Sequence, residues 1–370
     1  MVDFKEIKYI KILRGIKPSF IIKGIFSFLN EKQKLNIIIY NKKLQKLLLF
    51  DLEDYKKISG KYIKGKRNGK GKEYYINNDK LIFEGEYLNG KRNGKGREYN
   101  YKNELIFEGE YLNGKRNGKG KQYFNNGGLE FEGEYLDGKL LNGKGYNING
   151  YSEYEIKNGK GYIKSYYDNG KLKFEGEFLN GEKNGKGKEY FDGKLEFEGE
   201  FLNGKRNGKG KEYNYNGKLI FEGEYFNGKR NGEGKEYENN GELEFEGEYL
   251  NGKRNGKGKE YGYKGELIFE GEYLNGKRNG KGKVYDYIYG KVKFEGEYSN
   301  GEKNGKGKEY DYDSKLIFEG EYLNGKRNVK GKEYNYNGEL VFEGEYLDGK
   351  KLKGKINEYI HGKLIFEGEL

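Results

Sequence analysis

The sequence predicts a mostly β protein: an elongated, single-layer antiparallel β-meander of tandem hairpins behind a small all-α N-terminal head. Three observations carry that prediction. The tetrapeptide Phe-Glu-Gly-Glu recurs from Phe83 to Phe366, at a spacing of 24 residues almost throughout. The unit from Phe197 to Ile220 places an Asn-Gly pair at each of two expected turns, Asn203-Gly204 and Asn216-Gly217, the dipeptide that favours a two-residue type I′ hairpin turn. Between the turns, residues alternate with period two over runs too short for helices.

Composition agrees with a repeat and argues against an ordinary globular core. Only 33% of the 370 residues are hydrophobic and 36% are charged, which alone would read as disorder. Yet the chain carries 38 Tyr and 22 Phe beside 63 Gly, so a periodic arrangement has to order the rings. The array spans 58–370 in about fourteen units, with an irregular one at 139–172 and a first, half-matching one at Ile58-Ser59-Gly60-Lys61-Tyr62. Adding about 4.8 Å per strand, such a ribbon would reach on the order of 130 Å.

The unit from Phe197 to Ile220 shows the expected pairing. With tight turns at Asn203-Gly204 and Asn216-Gly217, Leu202 faces Lys205, Phe201 faces Arg206, Gly199 faces Gly208 and Glu198 faces Lys209 in the first hairpin. In the second, Tyr213 faces Ile220, Lys211 faces Glu222 and Lys209 faces Glu224. One face then sets lysine against glutamate, and the other lays Phe197, Phe201 and Phe221 over glycine backbone. Gly90, Gly204 and Gly276 are turn glycines that need positive φ, whereas Gly85, Gly199 and Gly271 make room for rings. Val329 replaces the first glycine of one Asn-Gly-Lys-Gly stretch, which predicts extended backbone there, because β-branched residues avoid positive φ.

The run Phe-Glu-Gly-Glu-Tyr-Leu-Asn-Gly-Lys-Arg-Asn-Gly-Lys-Gly resembles the MORN repeat, over about 58–370. The resemblance implies stacked hairpins that act as scaffolds or binding surfaces. Asn stands at most positions where that family's turn carries His, as at Asn93 and Asn117.

Residues 1–57 differ in kind, with few glycines and with Leu and Ile at helical spacing from Phe20 to Leu29 and from Leu35 to Leu48. Pro18, Ile25, Phe26, Leu29 and Leu35 resemble the F-box pattern. That resemblance implies docking to the Skp-type adaptor of a cullin–RING ubiquitin ligase, with the repeats as receptor for a target protein. The alternative is a structural scaffold, membrane-apposed, in which the helices only cap the open sheet.

The remaining features narrow the chemistry. The head holds 13 Lys and Arg against 6 Asp and Glu, so more than half of the net charge of +12 sits there and the repeats are nearly balanced. Nucleic acid is therefore not the expected partner. A row of Lys-Arg pairs at the turns (Lys91-Arg92, Lys205-Arg206, Lys277-Arg278) could meet an anionic membrane or an acidic protein. Zero Cys removes disulfides and thiolate metal sites and points to the cytoplasm. The only His, His361, reads as a turn residue, and the glycine-rich Gly65-Lys-Arg-Asn-Gly69-Lys70 lacks the Ser or Thr of a phosphate loop. Carboxylates set against lysines are poor general acids, so the reading is a non-enzyme without metal or cofactor. The last strand, which ends on Leu370, is expected to leave an edge able to pair with a second copy.

Overall fold

The computed structural model describes residues 28–29, 60–167 and 169–370, and among these there is no helix. The expected helical head lies outside the described residues except for Phe28 and Leu29, as do Pro18, Ile25, Phe26 and Leu35. The described residues form 27 strands, β1 (Lys61–Gly65) to β27 (Lys363–Glu369). They fall into two units. The first, Met1–Ser152, carries β1 to β8 (Lys139–Tyr146), and the second, Glu153–Leu370, carries β9 (Ser152–Lys157) from its second residue and every later strand to β27. Within each unit every strand pairs antiparallel with the next, an open meander.

The first turn of each hairpin is as the sequence predicts. Between β13 (Lys194–Leu202) and β14 (Lys205–Tyr213), Asn203 and Gly204 have φ of 50° and 80°, the two positive values that type I′ requires. Leu202 then faces Lys205, and Phe201 faces Arg206.

Beyond that point the register departs from expectation. Gly199 faces Gly210 and not Gly208, and Glu198 faces Lys211 and not Lys209, because β14 accommodates two extra residues opposite Glu200. Gly208 sits in this bulge with φ of 86°. A methyl group added to it would fall 2.2 Å from Glu200 Oε2. The left-handed position explains the glycine. Val329 takes the same conformation, φ 63°, which corrects the extended backbone expected there. The repeated pairing on both sides holds the valine in a conformation it disfavours.

The second turn is also different. Between β14 and β15 (Leu219–Phe226) the loop has three residues, Tyr215-Asn216-Gly217, with only Gly217 left-handed. Asn214 organises it: its N–H donates to the Lys218 carbonyl (2.9 Å), its carbonyl accepts from Gly217 (2.9 Å), and its Oδ1 accepts from the N–H groups of Asn216 and Lys218. Tyr213 consequently faces Leu219 instead of Ile220. Changes in repeat length are absorbed here. Where successive Phe residues are one closer, Phe174 to Phe197, Asp192-Gly193 makes a two-residue turn; one further apart, Phe269 to Phe294, the loop gains a residue and runs from Tyr287 to Gly290. His361, in a two-residue turn with Gly362, has φ of 48°.

The core is a line of rings on glycine backbone. Gly199, Gly210, Gly223, Gly234 and their successors pair directly across each strand. Phe197, with no exposed surface, covers this floor: a methyl on Gly210 would lie 2.4 Å from its Cζ. Phe197 meets Phe201 and Tyr225 edge-on, with centroids 5.4 and 5.1 Å apart, and Phe221 meets Tyr225 and Tyr249 in the same way. Each such pair contributes about 0.5–1.5 kcal/mol beyond burial, so rings supply the continuity that a second layer supplies elsewhere. In the irregular unit the fully buried Ile156 stands two residues before the Asn158-Gly159 turn, the place of the second aromatic.

Candidate interaction surface

Alternation along the strands divides each unit into a ring face and a glycine-floored face. On the ring face, the Arg206 guanidinium lies over Phe197, 4.3 Å from its centroid, and bonds Glu189 of the preceding repeat (2.8 Å) as well as Glu212 (3.4 Å). Arg230 in turn stacks 4.0 Å over Phe221 and bridges Glu212 (2.5 Å) and Glu236 (2.6 Å). Arg254 bonds Glu236 again. The result is a Glu–Arg ladder, continuous from Glu189 to Arg254 and interrupted where Val284 takes the place of the glutamate, that ties repeat to repeat and is shielded by aromatic rings.

The titration behaviour follows from that setting. Burial opposes ionisation of Glu189, but Lys183 and Arg206 hold its carboxyl below the usual carboxylate range; Glu309 is held down likewise by Arg327 and Lys303. Burial, with the charge of Glu73, pushes the Tyr87 phenol up to about 12. Burial and Glu212 raise Tyr225 further.

The ladder takes the arginine out of each Lys-Arg pair. Arg92, Arg206 and Arg278 are largely covered on the ring face, while Lys91, Lys205 and Lys277 remain exposed at the turn. The row therefore presents single lysines and not paired cations. Leu202, Leu250 and Leu274 stand half-exposed beside it.

The opposite face is a groove in the second unit, with a volume of about 1490 Å³, lined from Tyr162 to Lys308. Its floor is the glycine row, and its two rims carry lysine and glutamate. On the rim nearer the second turns, Tyr213 donates to Glu198 (2.6 Å) and Lys211 pairs with Glu222 (3.6 Å); the pattern recurs with Tyr237 and Glu222, and with Lys235 and Glu246. On the rim nearer the first turns, the carboxylates fold over the bulges, where Glu248 accepts the Lys257 N–H (3.1 Å) and Glu297 that of Lys306 (3.2 Å).

Of the residues singled out in the sequence, Gly199 and Gly271 form this floor, Gly85 has the same place in the first unit, and Gly90, Gly204 and Gly276 make the turns. Leu29 is half-buried at a bend. Phe366, in the last strand, is 51% exposed, whereas its counterparts are covered. Sequence reasoning missed the role of the Asn that replaces the family's His. Its side chain accepts the first N–H of the next repeat's turn, as Asn68 does from Asn89 (2.6 Å). The signal was its recurrence in most units two residues after the turn lysine, as at Asn93, Asn117, Asn207 and Asn255. Among the described residues, no cluster of His, Asp or Glu could hold a metal ion.

The chain belongs to the MORN repeat family, whose profile matches ten stretches: 59–80, 83–101, 107–129, 174–194, 197–218, 221–242, 245–266, 269–287, 294–314 and 318–339. Together these make up more than half of it. MORN repeats suggest a protein-interaction or scaffold role. No curated protein matches the sequence. Among solved structures, the crystal structure of TcdB2-TccC3-Cdc42 is 9% identical, over 81% of this chain and 19% of that one, with a TM-score of 0.15. That of TcdB2-TccC3 without its hypervariable C-terminal region is also 9% identical, over 81% and 18%, with a TM-score of 0.16. The chain spans about a fifth of the length of those proteins, and a likeness of this size carries no argument about role.

Proposed function

We propose that this chain is a non-catalytic, cytoplasmic protein-interaction protein whose glycine-floored face receives a partner. One observation carries the reading: the ring face uses its charges to join repeat to repeat, while the opposite face keeps an open groove bordered by exposed lysines in the same register along many strands. A fold that repeats one surface in line suits an extended partner better than a reaction centre, which needs unlike groups converging on one point. Neither metal nor cofactor enters this role.

A finer reading rests on the sequence of residues 18–44. The F-box-like run with Pro18, Ile25, Phe26, Leu29 and Leu35 would recruit a Skp-type adaptor, making the chain a substrate receptor of a cullin–RING ubiquitin ligase. The rival is a scaffold, membrane-apposed through the exposed Lys91, Lys205 and Lys277, with residues 1–57 as a cap. Co-purification of the full chain with a purified Skp-type adaptor separates the two. The adaptor reading expects a stoichiometric complex that is lost when Ile25, Phe26 and Leu29 become serine; no complex, together with sedimentation on vesicles containing phosphatidylserine, would favour the scaffold.

A further inference from the structure

The two rims of the groove look alike in sequence but not in their ion pairs. On the rim nearer the second turns, lysines lie within 4 Å of a carboxylate: Lys211 with Glu222 (3.6 Å), Lys235 with Glu246 (3.8 Å), Lys283 with Glu295 (3.9 Å). On the other rim, Lys186, Lys209, Lys257, Lys281 and Lys306 are exposed and have no ion pair among the described residues. The cause is local. The glutamates that would face them cross-strand, such as Glu272 opposite Lys257, are drawn onto the neighbouring bulges; a methyl on Gly280 would fall 2.2 Å from Glu272 Oε2.

These lysines occur on every second strand and so recur about every 10 Å along the groove. A polypeptide in the extended polyproline II conformation advances about 3.1 Å per residue with about three residues per turn, so every third side chain lies on one face and keeps step with them. The row has one interruption. Glu233 stands in the lysine position between Lys209 and Lys257, and it faces Glu248. The rim therefore reads two cations, one anion and three cations from Lys186 to Lys306.

We infer that the groove binds an extended protein segment whose charges fall at every third residue in the complementary order: two acidic, one basic, three acidic. A nucleic-acid strand fits less well, because it has a negative charge at every nucleotide and would set a phosphate against Glu233, where the peptide offers a cation. The inference rests on the protein-interaction reading above and names the partner's charge pattern.

The test uses the full chain and a labelled synthetic peptide of about 16 residues, with Glu, Glu, Lys, Glu, Glu, Glu at every third position and Ser or Gly between. Anisotropy should show it binding at least tenfold more tightly than a scrambled peptide of the same composition. Glu233→Lys, which places a lysine opposite Glu248, should reverse the preference toward a peptide with Glu at the third charged position. Lys209→Ser/Lys257→Ser/Lys281→Ser should abolish binding with circular dichroism unchanged. Equal binding of the scrambled peptide, tighter binding of oligo-dT, or no response to Glu233→Lys would overturn the inference. If both peptides bind equally and Lys209→Ser/Lys257→Ser/Lys281→Ser abolishes both, the charge code falls and the interaction role stands.

Discussion

The backbone N–H of Asn113 donates to the side-chain Oδ1 of Asn93, 3.3 Å away and 20 residues earlier, so each turn tip is held by the tip of the repeat before it. The adjacent Gly114 N–H donates to the Arg92 carbonyl at 2.8 Å, making a two-bond clasp. The same clasp joins Asn89 and Gly90 to Asn68 and Arg67. Asn93→Ala removes the side-chain acceptor and leaves the carbonyl. It should cost about 1 kcal/mol, felt as faster amide exchange at Asn113, while Asn93→Asp keeps the acceptor and should cost less.

Arg230→Ala should be the more damaging change. It leaves Glu212 and Glu236 each short of one cation on a largely covered face and uncovers the Phe221 ring. A loss of about 2–4 kcal/mol is expected, local to the repeats around Phe221 because repeat stability is set by neighbours. Hydrogen exchange should rise there and not in the first unit.

Glycines should divide by their surroundings. Gly210→Ala puts a methyl 2.4 Å from Phe197 Cζ and should cost about 1–3 kcal/mol by overpacking. Gly204→Ala meets open space and should cost about 1 kcal/mol, the strain of positive φ alone. Val329→Gly should raise stability by about 1 kcal/mol, since half of that side chain is exposed and its φ of 63° is strained. Denaturant midpoints of the three variants check the order.

Stability should fall at both ends of the pH scale. The Tyr87 and Tyr298 phenols are raised from 10.0 to about 12 in the folded chain, so the unfolded chain releases these protons first. Their contribution is full below pH 10 and is lost as pH climbs toward 12. Glu98, Glu189, Glu260 and Glu309 are lowered below their ordinary 4.5, so their contribution is present above that value and disappears as pH falls through the folded values. Circular dichroism titrations should show both transitions, with the alkaline one weakened by Tyr87→Phe and Tyr298→Phe.

The repeat, the first hairpin and the rings on glycine were legible because each has one physical solution. The register beyond the bulge was not. Gly208 and Gly210, like Lys209 and Lys211, recur at period two, so a slip of two residues keeps every side chain on its face and every lysine opposite a glutamate. Val329 misled because the penalty on positive φ is a cost that surrounding pairing can outweigh. The fate of Arg206 was within reach. Its expected pairing with Phe201 already set it on the ring face, apart from Lys205. The unpaired lysines were hidden, since their partners are drawn away by bulges that the sequence does not announce.

Division of labour between the faces is the central claim, and thermal unfolding of two variants of the full chain tests it most directly. Lys209→Ser/Lys257→Ser/Lys281→Ser, on the groove rim, should melt with the unaltered protein, because those side chains hold no ion pair among the described residues. Arg254→Ala, which cuts the ladder at Glu236 and uncovers Phe245, should melt several degrees earlier. A rim variant that unfolds as early as Arg254→Ala would contradict the account.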